Sequence, residues 1–324
     1  MTSNLMKVAV TTIALNEAKH VARWAEAAAD ADLLAIADTG STDGTPDLAR
    51  DHGVQVNAVR VRPWRFDAAR NAGLALLPED VDVVITVDLD EVLVPGWREQ
   101  LEAAPRVRRY GYDYVWSWTP DGQPDVQFRG DRCHARFGYQ WRHPVHEVLV
   151  ATTVPDQYVP HAGFAIHHHA DDTKPRTHYL PMLKQAAQES PEDDRIAHYY
   201  ARELYFAGSW PAAREEFVRH LHLPSAVWAP ERAQSYRYLA KMDADPERWL
   251  LKAVAEDPDR REAWVDLAEF YRGRGQQREA EGAVARALRV TTRTFDYMTE
   301  AKAWRDDYLR SFFAQTVLAG PATT

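Results

Sequence analysis

The first hundred residues alternate short apolar runs with stretches of helical periodicity, which constrains the chain to strand-helix-strand units around a largely parallel sheet. Val8-Ala9-Val10-Thr11-Thr12-Ile13 reads as a first strand. Val21, Trp24, Ala25 and Ala28 then recur at helical spacing and predict one buried helix face. Residues 33–37 make a second strand. Thr45 as N-cap, Pro46 at the first helical position, Asp47 in the first turn and Gly53 past the end mark the next helix. Residues 54–61 predict a third strand, 67–77 a third helix and 81–87 a fourth strand. The last is almost continuously apolar, so it is expected at the centre of the sheet with both faces covered.

Residues 111–169 are less regular, rich in aromatics, Arg and His, and predict only a few strands. Beyond residue 174 the pattern turns to helices alone. Three weakly similar stretches, 195–221, 231–255 and 261–290, each open on a Tyr- or Trp-containing helix, with a spacing like that of tetratricopeptide helix pairs. An irregular helical bundle is the competing reading, because the middle stretch lacks a Gly turn. A length of 324 residues is long for one domain, and the change of character divides the chain into an α/β domain, 1–172, and an all-α helical-repeat domain, 173–324.

Composition closes off other classes. Hydrophobic residues at 45% and charged residues at 27% are those of a globular protein rather than a disordered or fibrous one. A formal net charge of −9 argues against gripping a nucleic-acid backbone by bulk electrostatics. A single cysteine, Cys133, allows no intrachain disulfide framework and no cysteine metal site. The early apolar run at residues 8–15 is too short for a membrane span and poorly shaped for a signal peptide, so a cytoplasmic protein is expected. Eleven tryptophans are many for this length, and most are expected in the core and between helices, although aromatic faces also suit sugar rings.

Three polar clusters begin where apolar strands stop: Leu15-Asn16-Glu17, Asp38-Thr39-Gly40-Ser41-Thr42-Asp43-Gly44 and Asp88-Leu89-Asp90-Glu91. In an open parallel sheet, ligands bind outside the carboxyl ends of the strands, so these pieces are expected to converge on one crevice. Asp88 and Asp90, one residue apart at a strand end, can both reach a hard cation through oxygen ligands. Charges placed directly after Val83-Val84-Ile85-Thr86-Val87 are costly unless compensated, and a divalent ion with a diphosphate would do so. Asp38 can accept hydrogen bonds from a base or ribose, or simply belong to a well-capped turn around Gly40 and Gly44. Arg70 and Asn71 can reach a nucleotide or the Asp pair, and pairing of Arg70 with Asp67 stands beside that reading.

At these residues the sequence resembles the family 2 glycosyltransferases of GT-A fold. The matching pieces are Ile13-Ala14-Leu15-Asn16-Glu17-Ala18, residues 38–45, Phe66-Asp67-Ala68-Ala69-Arg70-Asn71 and Val87-Asp88-Leu89-Asp90-Glu91, over about residues 7–100. A looser match runs through Arg142-His143-Pro144-Val145-His146-Glu147, His168-His169 and Asp172-Thr173-Lys174-Pro175-Arg176, resembling the subgroup with C-terminal tetratricopeptide-like helices.

The resemblance implies a Rossmann-like nucleotide-sugar domain. Thr12, Ala14, Asn16, Glu17, Asp38 and Ser41 would hold the nucleoside of a donor, favoured as UDP-linked, with Arg70, Asn71 and His146 near it. Asp88 would lie by the ribose and sugar, and Asp90 would ligate Mn²⁺ or Mg²⁺ on the diphosphate. Inverting transfer also needs a base on the acceptor hydroxyl, for which Glu147 is the candidate. Structural pairing of Glu147 with Arg132, Arg136 or Arg142 is the alternative. From the run His167-His168-His169, His169 is the candidate to complete the metal site with a neutral imidazole; packing at the domain junction is the other reading.

A nucleotidyltransferase or sugar-nucleotide pyrophosphorylase would also use an acidic metal site on such a sheet. It would be expected to carry a Gly-rich, basic loop where Ile13-Ala14-Leu15-Asn16-Glu17 stands. A catalytically inactive repeat-based binding protein is the reading from another class, and the intact Asp38, Asp88 and Asp90 speak against it. The donor sugar, the anomeric outcome and the acceptor, whether protein or peptide, saccharide, lipid-linked or nucleobase, stay open. The helical repeats also suggest a protein partner.

Overall fold

The computed structural model describes residues 6–152, 156–171, 179–291, 296, 298–305 and 307–311. The chain divides into two compact units, Met1–Arg176 and Thr177–Thr324. The division expected between 172 and 173, and the segment Asp172–Arg176, lie outside the described residues.

The first unit opens as β1 (Val8–Ala14), α1 (Ala18–Ala27), β2 (Leu33–Asp38), α2 (Thr45–Asp51), β3 (Gln55–Ala58), α3 (Phe66–Ala75) and β4 (Val83–Thr86). It continues as β5 (Glu91–Leu93), α4 (Trp97–Ala103), β6 (Arg109–Val115), β7 (Gln127–Ala135), β8 (Tyr139–Arg142), β9 (Val148–Ala151), β10 (Tyr158–Val159) and β11 (Ala165–His168). The main sheet runs β3-β2-β1-β4-β7-β6-β11-β5, with β10 on β6, while β8 and β9 form a separate hairpin. Strands β3, β2, β1 and β4 are mutually parallel, and β7 then enters antiparallel to β4. The sheet is therefore mixed, and the nearly uninterrupted apolar strand β4 lies inside it with all four residues buried.

Helix α1 buries Val21, Trp24 and Ala25 as its periodicity requires. Trp24 joins Val10, Ile36, Ile85 and Trp97 in the main core. Helix α2 departs from expectation at its start: Gly44, at φ 88°, is the N-cap, and Thr45 is already inside the helix. The Thr45 hydroxyl is occupied elsewhere, accepting from the Glu17 N–H and donating to Asp43.

The second unit is all-α: α5 (Tyr179–Glu189), α6 (Asp194–Phe206), α7 (Trp210–His222), α8 (Ala229–Lys241), α9 (Glu247–Glu256), α10 (Arg261–Gly273) and α11 (Gln277–Arg289). The pairs α6/α7, α8/α9 and α10/α11 pack tightly within themselves. They fall on the three weakly similar stretches of the sequence. Among the described residues no helix is long and apolar enough to cross a membrane.

Candidate active site at the strand ends

The loops after β1 and β2 are laced together by their polar groups. Thr39 donates from both its N–H and its hydroxyl to the Ala14 carbonyl, at 2.9 and 2.8 Å. Asn16, held at φ 57°, accepts from the Thr42 N–H at 2.8 Å, while its own N–H donates to the Ser41 hydroxyl at 2.9 Å. The Ala18 N–H donates to Asp43. Asp38 is buried at the end of β2 and accepts from the Gly40 and Ser41 N–H groups. Its carboxylate thus organises the turn, whether or not it also meets a ligand. Gly40 and Gly44 sit at φ 118° and 88° with open space where a Cβ would stand, so backbone angle rather than room requires glycine there.

Below these loops, Thr12, Thr86, Arg70, Leu74 and Trp141 line a small cleft. Thr12 is buried, with its hydroxyl donating to the Ile13 carbonyl. Arg70 projects from α3, and its guanidinium stacks over the Trp141 ring at 5.1 Å. Its Nε donates to Glu147 Oε1 at 2.6 Å, its Nη2 donates to Asp88 Oδ2 at 3.2 Å, and its Nη1 lies 2.9 Å from Asp88 Oδ1. Burial works against the charge of Arg70, but Asp88 and Glu147 outweigh it and raise its pKa above the ordinary arginine value.

The partners differ in detail from those the sequence offered. Asp67 pairs with Arg65 and not with Arg70. Glu147 pairs with Arg70, whereas Arg136 donates to the Leu77 carbonyl and Arg132 reaches Asp88 and Glu91. Asn71 was expected near the nucleotide, but both ends of its amide hold the backbone of Trp141, at 2.8 Å each. His146 takes φ 51° and His143 φ 78°, a sharply turned stretch that delivers Glu147 to Arg70. A positive φ at a non-glycine residue costs roughly 1–2 kcal/mol, so packing elsewhere holds this turn in place.

Beneath the Asp pair lies a buried support that the sequence did not announce. Glu91 accepts from the Asp88 N–H at 2.7 Å and from the Tyr114 hydroxyl at 2.6 Å, and pairs with Arg132. Burial opposes the charge of Arg132, yet Glu91 and Asp88 around it hold its pKa well above the ordinary value. Asp88 is therefore bracketed by two guanidinium groups.

Asp90 faces a different neighbour. His168 Nε2 lies 3.9 Å from Asp90 Oδ2, and His168 Nδ1 lies 3.0 Å from the Trp116 carbonyl. A carbonyl only accepts, so Nδ1 carries a proton and Nε2 is the ring nitrogen turned towards the carboxylate. In its neutral form such a ring nitrogen is a metal ligand, and its 3.9 Å from Asp90 Oδ2, within two metal–ligand bonds of about 2.1 Å each, makes the pair a donor set that fits a divalent cation. The imidazole beside Asp90 therefore belongs to His168 rather than to the expected His169. Side chains alternate along β11 and just past it, so His167 and His169 both turn to Trp118 while His168 turns the other way. His169 is tied to Asp90 through its backbone, its N–H donating to the Asp90 carbonyl at 2.8 Å, while its ring also feels the Asp90 charge. Burial, with Arg23 nearby, lowers its pKa.

Among the described residues two more groups of possible cation ligands are present: Asp194, His220 and Glu231 in the second unit, and Glu17, His20 and Asp171 around the start of α1. There the Lys19 ammonium already sits 2.8 Å from Asp171 and supplies positive charge.

Residues 10–165 match the family model described as glycosyl transferase family 2. A "TPR repeat-containing protein" of Synechococcus elongatus is 24% identical over 319 residues, covering 88% of this chain and 75% of that protein. Among solved structures, glucosyl-3-phosphoglycerate synthase from Mycobacterium tuberculosis, in complex with Mn²⁺, UDP and glucosyl-3-phosphoglycerate, is 25% identical with a TM-score of 0.28. That match covers 34% of this chain and 44% of the other, so the chain spans less than half of that enzyme's length. The PilF structure from Pseudomonas aeruginosa is 12% identical with a TM-score of 0.32, covering 43% of this chain and 64% of that one.

Proposed function

We propose, from the premise that residues 10–165 are a family 2 glycosyltransferase domain, that this chain transfers a sugar from a nucleoside-diphosphate sugar to an acceptor hydroxyl with a divalent metal. The observation that carries the reading is the meeting of Asp88, Asp90, Arg70, Glu147 and His168 just past the carboxyl end of β4, where an open sheet binds its ligand. The laced loops around Asn16, Glu17, Asp38 and Ser41 form the nucleoside side of the site, and UDP is the favoured nucleotide. Mn²⁺ and UDP in the mycobacterial synthase agree with that choice.

Asp90 and His168 would hold the ion, Mn²⁺ or Mg²⁺, and the ion would neutralise charge growing on the departing diphosphate. Asp88, held by Arg70 and Arg132, keeps a fixed orientation beside the ribose and sugar. Glu147 takes the proton of the acceptor hydroxyl as its oxygen bonds to the anomeric carbon and the carbon–oxygen bond to the diphosphate breaks, which gives inversion. Arg70 fixes the direction from which Glu147 approaches.

The test is a panel of nucleotide sugars with Mn²⁺ or with chelator, scored for thermal stabilisation and slow donor hydrolysis, with Asp90→Ala as control. One donor that stabilises and is cleaved only with metal and an intact Asp90 is the expected result. Donor cleavage that survives both chelator and Asp90→Ala would refute the metal-dependent mechanism.

A further inference from the structure

Two tryptophans just past the end of β6 hold His168, Trp116 at its ring and Trp118 at its backbone. The Trp116 carbonyl receives the Nδ1 proton, and the Trp116 indole stacks on the imidazole at 4.5 Å with planes 16° apart. Tyr114 stacks near the same ring at 6.4 Å and 25°. Trp118 donates its indole N–H to the His168 carbonyl at 2.8 Å and lies edge-on to His167 at 4.8 Å. The Trp116 side chain contributes little to the core, since the residue is 44% exposed. What it does contribute is a plane that fixes the rotation of the imidazole and so the direction of the Nε2 lone pair.

We infer that Trp116 is a positioning residue for metal binding: its indole, with the Trp118 N–H fixing the backbone beneath, keeps His168 Nε2 aimed at Asp90. The inference rests on the metal reading above and adds to it a residue outside the ligand set. Ligating imidazoles commonly donate their other N–H to a carbonyl or carboxylate, and loss of such outer partners typically weakens metal binding about 10- to 100-fold. Removing the indole leaves the carbonyl acceptor but frees the ring to rotate, so the loss is expected at the lower end of that range.

The experiment is Mn²⁺ titration by electron paramagnetic resonance on the full chain, with ¹⁵N spectra of the histidine rings, for wild type, Trp116→Ala, Trp116→Phe, Trp118→Phe and His168→Ala. Trp116→Ala should raise the Mn²⁺ Kd about tenfold and blur the Nδ1–H signature of His168, and Trp116→Phe should restore both to within about threefold. Trp118→Phe, which keeps a ring but loses the N–H, should fall between them. If His168→Ala weakens Mn²⁺ binding but Trp116→Ala and Trp118→Phe bind as wild type, the positioning role is overturned and the metal reading stands. If His168→Ala itself binds Mn²⁺ unchanged, both fall together. Should Trp116→Ala fail to fold, the Phe variants and the ¹⁵N signature decide alone.

Discussion

Arg70 joins Glu147 to Asp88 through a single guanidinium, at 2.6 Å to the first carboxylate and 2.9 Å to the second. The planar fork of arginine suits this bridging, and a lysine carries the charge without the geometry. Arg70→Ala would take the guanidinium from Glu147 and leave Asp88 with Arg132 as its guanidinium partner, and breaking a buried pair in this way costs about 3–5 kcal/mol. Arg70→Ala is therefore expected to abolish transfer and lower the unfolding temperature, while Arg70→Lys recovers stability more than turnover. Parallel thermal melts and donor-hydrolysis rates check this; wild-type turnover in Arg70→Lys would show that the fork is not needed.

Much of this arrangement was legible in the sequence because it follows from local rules. Apolar runs gave β1, β2 and β4, and the polar residues after each one had to lie at strand ends. That Arg70 could reach the Asp pair was legible, but its pairing with Glu147 was not, because the two lie 77 residues apart and meet through the turn at His143 and His146. The choice between His168 and His169 depends on the parity of a strand that pairs with both β5 and β6, and a run of three histidines leaves that parity unmarked. The Glu91–Arg132–Tyr114 support was missed for a similar reason: it takes β7 lying between β4 and β6 to bring Arg132 to the Asp pair and to Tyr114. The paired helices of the second unit were legible from spacing alone, although the middle pair lacks the glycine turn of the others.

Trp24 ties the first helix to the segment carrying Asp88 and Asp90, donating its indole N–H to the Val87 carbonyl at 3.0 Å, one residue before Asp88. Both residues are almost wholly buried. Trp24→Phe keeps an aromatic ring but takes the donor from a buried carbonyl, which costs about 1–3 kcal/mol before any loss of packing. Chemical denaturation should show that loss, and Mn²⁺ affinity should fall with it because the backbone carrying Asp88 and Asp90 is no longer pinned. Unchanged Mn²⁺ affinity in a destabilised variant would confine Trp24 to the core.

His134, on β7 against β4, has its pKa lowered to about 4, chiefly by burial, with Arg109 and Arg136 adding to the effect. The unfolded chain takes up this proton near the ordinary value of about 6.5, so the folded state binds fewer protons between those limits. The stability held above pH 6.5 is expected to be lost progressively as pH falls towards 4, by about 3 kcal/mol in all. His134→Gln should flatten that part of the stability curve of the first unit. Denaturant midpoints from pH 4 to 7 test this, and a slope identical to wild type would show that other groups set the acid sensitivity.

In the second unit, Ser235 lies between two buried imidazoles, its hydroxyl 2.8 Å from His198 Nδ1 and 2.9 Å from His220 Nδ1, while His220 Nε2 lies 3.2 Å from Glu231. One hydroxyl proton can serve only one of these nitrogens, so the other must donate to the oxygen. Burial, with His220, Arg202 and Arg195 nearby, pushes the pKa of His198 well below the ordinary histidine value. If His220 Nε2 donates to Glu231 and its Nδ1 accepts from Ser235, then His198 donates to Ser235, and each of these hydrogen bonds has one donor and one acceptor. Ser235→Ala removes a partner from both rings at once, each loss costing about 1–3 kcal/mol. The helical unit should therefore melt several degrees earlier, and the histidine ring ¹⁵N spectrum should lose one ordered tautomer. A melt unchanged from wild type would mean that the two rings find other partners when the hydroxyl is gone, and that this relay does not order the helical unit.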